Sequence, residues 1–412
     1  MKKGIIICIV LSLILAVFPQ AMVAEGETKS FSDIKGHWAE SAIQNAVKDG
    51  YVTGFPDGTF KPNKTVTAAE FVTMLLKSVT FVNEEGYREY RPEVMAQVPE
   101  HFRDSFMWFY NTLPGKPWYQ PFTDEALRQF IIRDWEYEEP FNEVLTREKA
   151  ASIINRYIGK LDGGMDENYA KEVAATIKDQ NRITSGRQID VAGVYIRGVM
   201  NGYTDGTFGG KREITRAESI SLIERVNRPE KRKPYKMDLS GYPYSIVPTG
   251  EGYGDRIVVF GNWEMKQVHD QLVKDMALSP GAYERYVTNF AFYENEEVKQ
   301  RQINTRRQPE TWWERKHYYD LGIAVGLNSY SLSISSMEGR YERQNETLNR
   351  FLSSVFKDKA GEARKFLDDS MAKYKANNLK ETVKVIGGRE IIVGGYPDIS
   401  VMVVGISGYA DR

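Results

Sequence analysis

The chain has 412 residues, with 55 basic and 56 acidic side chains, a formal charge of −1 and 42% apolar composition. So even a balance gives no electrostatic reason to expect nucleic acid or an anionic membrane as partner, and the length allows two or three domains. The one cysteine, Cys8, lies in a leader segment, so disulfide frameworks, thiol nucleophiles and cysteine-based zinc sites are excluded from the mature protein.

In chain order, Met1-Lys2-Lys3 is positive, Ile5 to Phe18 is apolar, and Pro19 to Ala24 is rich in small residues, the pattern of a secretory signal peptide over 1–24 cleaved near Ala24. The apolar run falls short of the roughly 20 residues that span a bilayer. No later stretch is long enough, so no membrane span is expected after cleavage.

A helix–loop–helix unit follows at 31–80. Ile43, Ala46 and Val47 are at helical spacing after His37-Trp38-Ala39, which predicts a short amphipathic helix ending by Gly50. Gly54-Phe55-Pro56-Asp57-Gly58-Thr59-Phe60 predicts a tight turn, proline presetting φ and glycine supplying a positive one. Thr67-Ala68-Ala69-Glu70 before an apolar periodic segment is a capping box, which opens a second helix. Both motifs recur 148 residues later, as Gly202-Tyr203-Thr204-Asp205-Gly206-Thr207-Phe208 and Thr215-Arg216-Ala217-Glu218, and define a unit at 175–226. Between them, 100–160 is a degraded copy marked by Phe102-Arg103-Asp104, Trp118-Tyr119, Ala126 and Thr146-Arg147-Glu148-Lys149, without the Asp-Gly turn.

Arg216 and Arg147 follow their capping threonines, where the helix dipole favours carboxylates rather than cations. Local stability does not ask for an arginine there. One reading is an anion receptor, made of free first-turn N–H groups and a bidentate guanidinium fork. The other is a lock, in which each arginine pairs with a glutamate or aspartate of the adjacent unit.

His-Trp-Ala, Gly-Phe-x-Asp-Gly-Thr-Phe and Thr-Arg-Ala-Glu, in that order over residues 31 to about 226, resemble the S-layer homology repeat. The resemblance implies a helix-rich domain of three repeats in pseudo-trimeric arrangement. It also implies non-covalent attachment to the cell wall through anionic, pyruvylated secondary cell-wall polysaccharide, placing the chain at the cell surface, with other surface-layer proteins as further partners. The pyruvyl carboxylate would be held between units at Arg147 and Arg216, beside Thr146, Thr215 and Glu218. The loop surfaces Gly54, Phe55, Asp57 and Gly58, and Gly202, Tyr203, Asp205 and Gly206, would support the sugar together with Trp38. Three departures bear on which grooves work. The first copy has Ala68 in place of arginine, the middle copy has Lys149 in place of the capping glutamate, and an insertion from about Glu84 to Gln120 carries Trp108, Phe109 and Tyr110. One or two grooves are therefore expected to bind.

Residues 227–250, with Pro229, Pro234, Pro243 and Pro248, suggest a linker. The remainder, 251–412, suggests an α+β domain with a mainly antiparallel sheet. Arg256–Phe260 predicts a strand, Val268, Leu272 and Met276 a helix, Leu321–Ser335 paired strands, and Leu348 to Tyr374 a helix interrupted near Gly361. Gly387-Gly388 predicts a hairpin turn, and Ser400–Ile406 one more strand. His37, His269 and His317 are not at metal-ligand spacing, and no nucleophile elbow or phosphate loop occurs. Asp255, Glu264 and Glu314 have no recognisable partner, and Trp312-Trp313 and His317-Tyr318-Tyr319 suit a core or interface better than a sugar platform. No catalytic residue, metal or cofactor is expected. A structural or interaction role is favoured over the alternative of a wall-anchored hydrolase acting on glycan or peptide.

Overall fold

The computed structural model describes residues 31–137, 141–249, 254–307, 318–337, 339–396 and 400–408. The signal peptide and Trp312, Trp313, Glu314 and His317 lie outside the described residues.

The N-terminal half is built on helix pairs. Helix α1 (Glu40–Lys48) buries Ile43 and Ala46, and α2 (Ala68–Val79) is buried almost all round from Ala68 to Leu76. The insertion then forms a small antiparallel sheet of β1 (Thr80–Val82), β2 (Tyr87–Tyr90) and β3 (Phe109–Tyr110), with the one-turn helix α3 (Pro92–Met95) between β2 and β3. Helices α4 (Gln120–Arg128), α5 (Arg147–Asp162), α6 (Glu167–Ala175), α7 (Gln188–Ile196) and α8 (Arg216–Asn227) complete this half. One continuous apolar core runs from Phe31 to Val226. Within it α2 packs on α4, α5 on α7, and α8 returns to α1.

The N-termini of α2, α5 and α8 meet in a closed ring of main-chain hydrogen bonds. Val66 N–H donates to Ile214 O, Ile214 N–H to Leu145 O, and Leu145 N–H back to Val66 O, at 3.1, 3.0 and 2.8 Å. Isolated bridges join Thr65 to Thr215, Thr67 to Val144 and Thr146 to Glu213 around it. A buried ring of this kind is stable because each peptide group finds a main-chain partner.

Residues 227–250 include packed structure. Strand β4 (Tyr244–Pro248) pairs antiparallel with β5 (Asp255–Val259), and this ribbon docks on α6 and α7. Asn168 Nδ2 donates to Val259 O at 2.9 Å, Val259 N–H donates to Asp166 at 3.1 Å, and Arg256 donates to Gly163 O at 2.7 Å. Tyr235, Met237, Leu239 and Tyr242 pack against the same helices. The predicted strand near 256 thus belongs to a separate ribbon and not to the main sheet.

The main sheet has seven strands, all neighbours antiparallel. Its strands are β6 (Ala282–Tyr286), β7 (Asn289–Tyr293), β8 (Leu321–Val325), β9 (Ser329–Ser335), β10 (Thr382–Ile386), β11 (Arg389–Tyr396) and β12 (Val401–Ser407), in the order β10-β11-β12-β9-β8-β7-β6. Helices α9 (Trp263–Met276), α12 (Asn345–Phe356) and α13 (Ala360–Lys375) share a core with the face carrying Phe290, Phe292, Ile323, Leu332, Val393 and Val404. The helices α10 (Glu296–Arg307) and α11 (Arg340–Arg343) are shorter or more polar connections. The Gly387-Gly388 turn is present, with φ of 58° and 80° between paired Ile386 and Arg389. The helix break lies at Lys357, where φ is 53°, while Gly361 sits inside α13.

Candidate functional site

The two Asp-Gly turns have the same hydrogen bonding. In the first, Phe55 N–H donates to Thr59 O at 2.7 Å, and Asp57 accepts from the Thr59 N–H at 3.1 Å and its hydroxyl at 2.6 Å. In the second, Tyr203 N–H donates to Thr207 O at 2.7 Å, and Asp205 accepts from the Thr207 N–H and hydroxyl at 2.9 and 2.7 Å. Gly58 and Gly206 have φ of 77° and 86°, which explains glycine at the corner. Each turn is held from below by an aspartate the motif search missed. Asp33 accepts from Phe60 and Lys61 N–H, and Asp179 from Phe208 and Gly209 N–H, at 2.6 to 2.9 Å. Both lie a few residues before their α-helix, Asp33 before Glu40 and Asp179 before Gln188, but out of register with the turns, and a single aspartate is too short a signal to reveal the correspondence.

Each arginine reaches the turn of a different segment. Arg216 donates through Nε to Phe60 O and through Nη2 to Thr53 O, both at 3.0 Å, with its guanidinium 5.0 and 4.5 Å from the Phe55 and Phe60 ring centroids. Arg147 does the same to Phe208 O and Asn201 O at 3.1 Å, with the Tyr203 and Phe208 rings at 5.1 and 5.0 Å. The lock is therefore real, but it uses main-chain carbonyls and aromatic faces in place of the expected carboxylates. The anion-receptor reading also needs correction. The first-turn N–H groups are not free, because Arg216 and Ala217 N–H donate to Lys64 O and Pro62 O, while Arg147 and Glu148 N–H donate to Arg212 O and Gly210 O. Any anion held here would be held by the guanidinium.

Burial lowers the pKa of both guanidiniums, so their charge is only partly compensated, with Glu70 and Asp33 opposing the shift at Arg216 and Tyr203 and Glu218 at Arg147. Arg216 opens onto a groove of about 250 Å³ lined by Tyr51, Gly54, Phe55, Thr73, Lys77 and Trp118. Among the described residues, Thr73 Oγ1 in this groove is buried without a hydrogen-bond partner. Lys77, Thr73 and Trp118 were not singled out from sequence as binding residues. Trp118 could have been, since it precedes α4 as Trp38 precedes α1.

The other expected residues have defined places. Thr215 and Glu218 bond each other's main chain in a complete capping box. Thr146 makes no side-chain cap, and Lys149 at the glutamate position lacks the carboxylate for the reciprocal bond. Glu148, one residue before Lys149, is buried instead against Thr184 and Lys211. Trp38 is 65% exposed and does not line the Arg216 groove. Ala68 and Ala69 N–H donate to Glu143 O and Phe141 O, so the segment opposite Ala68 is the one without an Asp-Gly turn.

The S-layer homology domain family matches residues 30–72 and 176–218. The chain is 29% identical over 196 residues to an amylopullulanase of Thermoanaerobacterium thermosulfurigenes, covering 47% of this chain and 9% of that protein. It is 29% identical over 213 residues to an exoglucanase of Acetivibrio thermocellus, covering 52% and 17%. A cellulosome-anchoring protein of Acetivibrio thermocellus matches at 29% over 144 residues, covering 34% and 28%. The chain thus spans well under a third of the length of each of these relatives. No helix among the described residues is long and apolar enough to cross a membrane. The two matched segments hold both Asp-Gly turns, both complete capping boxes and Arg216, so the chain carries S-layer homology segments at 30–72 and 176–218 and is a secreted, cell-surface protein.

Proposed function

We propose that residues 31–226 form a pseudo-trimer of S-layer homology repeats, at 31–80, 100–160 and 175–226, that attaches the protein non-covalently to the cell wall. The ligand is an anionic, pyruvylated secondary cell-wall polysaccharide. The closed ring at Val66, Leu145 and Ile214 supports the three-fold reading. The observation that carries the binding role is the Arg216 groove, where a partly compensated guanidinium, Lys77, an exposed indole and an unpartnered threonine hydroxyl converge. Guanidinium and ammonium suit a carboxylate, and Trp118 suits the apolar face of a sugar ring. Arg147, clamped on the Tyr203 turn as Arg216 is on the Phe55 turn, would offer a second binding surface. The similarity to a cellulosome-anchoring protein fits this reading.

Residues 251–412 act as a structural or interaction domain presented outward, contacting other surface-layer proteins. The test is co-sedimentation with purified wall sacculi. The parent should pellet, Arg147→Ala combined with Arg216→Ala should stay in solution, and sacculi stripped of polysaccharide should capture neither. Equal pelleting of parent and double variant would refute the assignment. A zymogram of the full chain on wall glycan checks the hydrolase alternative, and a cleared band would replace the structural role.

A further inference from the structure

Helices α2, α5 and α8 leave the ring side by side, and their far ends line a second cavity of about 510 Å³. This cavity shares no lining residue with the Arg216 groove, although its Lys48, Asp49 and Ser78 are next in sequence to that groove's Gly50 and Lys77. Arg91 sits at its wall, its own N–H tied to Val79 O at the end of α2 at 2.9 Å. Among the described residues its Nε is buried without a partner. Tyr157, from α5, is 1% exposed, and among the described residues its hydroxyl has no hydrogen-bond partner.

Two buried donors converging on one cavity are unusual in a folded protein and call for an acceptor. Lys48 and Arg228 add positive charge, while Asp49 and Glu93 supply acceptors. Arg228 lies 3.8 Å from Asp49 and is thereby partly answered, whereas Arg91 makes no ion pair among the described residues. The helix ends do not oppose an anion strongly, because Arg232 caps the Arg225 and Val226 carbonyls of α8 and Arg91 N–H caps Val79 O. A bare carboxylate or phosphate would leave most of the space unfilled, and the two lining carboxylates suit hydroxyl donors.

We propose that this cavity is a second ligand site taking an anionic saccharide of one or two rings. The acid group sits on the Arg91 guanidinium, with the Tyr157 hydroxyl donating to the ligand and Asp49 and Glu93 accepting from its hydroxyls. The test is saturation-transfer NMR on the full mature chain with glucuronate, with glucose as neutral control and inorganic phosphate as competitor. Glucuronate should give a signal at least tenfold above glucose, and Arg91→Gln and Tyr157→Phe should each cut it at least tenfold. Trp118→Ala, in the other groove, should retain it. No glucuronate signal, survival in either cavity variant, loss in Trp118→Ala, or an equal glucose signal would overturn the proposal. Phosphate displacing glucuronate as well as unlabelled glucuronate does would overturn the saccharide assignment.

Discussion

Replacing Arg216 with alanine removes two hydrogen bonds to Phe60 O and Thr53 O and the cation packed between the Phe55 and Phe60 rings. Leaving a buried acceptor unpaired costs about 1–3 kcal/mol, and a cation–π contact adds about 1 kcal/mol. Water entering from the groove side restores part of the loss, so the change should be about 3 kcal/mol. For a unit of this size that lowers the melting temperature by roughly 6–12 °C. Calorimetry or circular dichroism on the full chain reads it in the transition of the helical half. Arg216→Lys should recover less than half, because an ammonium lacks the planar fork that meets two carbonyls at once. Parent-like melting of Arg216→Ala would refute the clamp. The scaffold role also sets how wall-binding data are interpreted, since an arginine variant can lose binding by loosening the turn.

Three further outcomes follow from the geometry. Thr215→Ala should lower stability by about 1 kcal/mol and Thr146→Ala by far less, because only Thr215 caps its helix; urea midpoints compare them. Asp57 is pulled down to about 2 by the Thr59 hydroxyl, Lys61 and the Thr59 N–H, and Asp205 is lowered by the Thr207 N–H and hydroxyl. A depressed carboxyl contributes stability above its unfolded pKa and loses it as pH falls through the folded value, so melting temperature should decline between roughly pH 4 and pH 2, and less steeply in Asp57→Asn. Trp118 is 59% exposed, so Trp118→Ala should melt within about 1 °C of the parent. The same variant should bind sacculi several-fold more weakly in co-sedimentation.

The legible parts of the chain were those in which neighbouring residues fix the geometry. The Asp-Gly turns, the capping boxes at Thr67 and Thr215 and the Gly387-Gly388 hairpin each need particular residues within a few positions, and the structure has them there. The alternating strands at 321–335 were legible for the same reason. Longer-range features were not. Nothing local marks Asp33 and Asp179 as supports for turns 27 to 30 residues away. The strand at Tyr244–Pro248 was hidden by its prolines, and it forms because its partner Asp255–Val259 and the α6–α7 surface receive it. Lys357, with its left-handed φ, ends α12 although glycine stands nearby at 361.

The arginine at the first helical position has a task only where the opposing turn offers two carbonyls between aromatic faces. Arg216 meets Thr53 O and Phe60 O, and Arg147 meets Asn201 O and Phe208 O. Ala68 stands at the same point of the main-chain pattern, but opposite it runs the segment at 141–143, which has no Asp-Gly turn. In sequence the missing arginine belongs to the segment at 31–80 and the missing turn to the one at 100–160. In space they are the two sides of one interface, each without use when the other is absent. The arginine-to-turn interfaces, more than the individual repeats, are therefore the units on which selection for binding would act. The two that retain both sides are those through which the Arg216 and Arg147 grooves are proposed to hold the wall polymer.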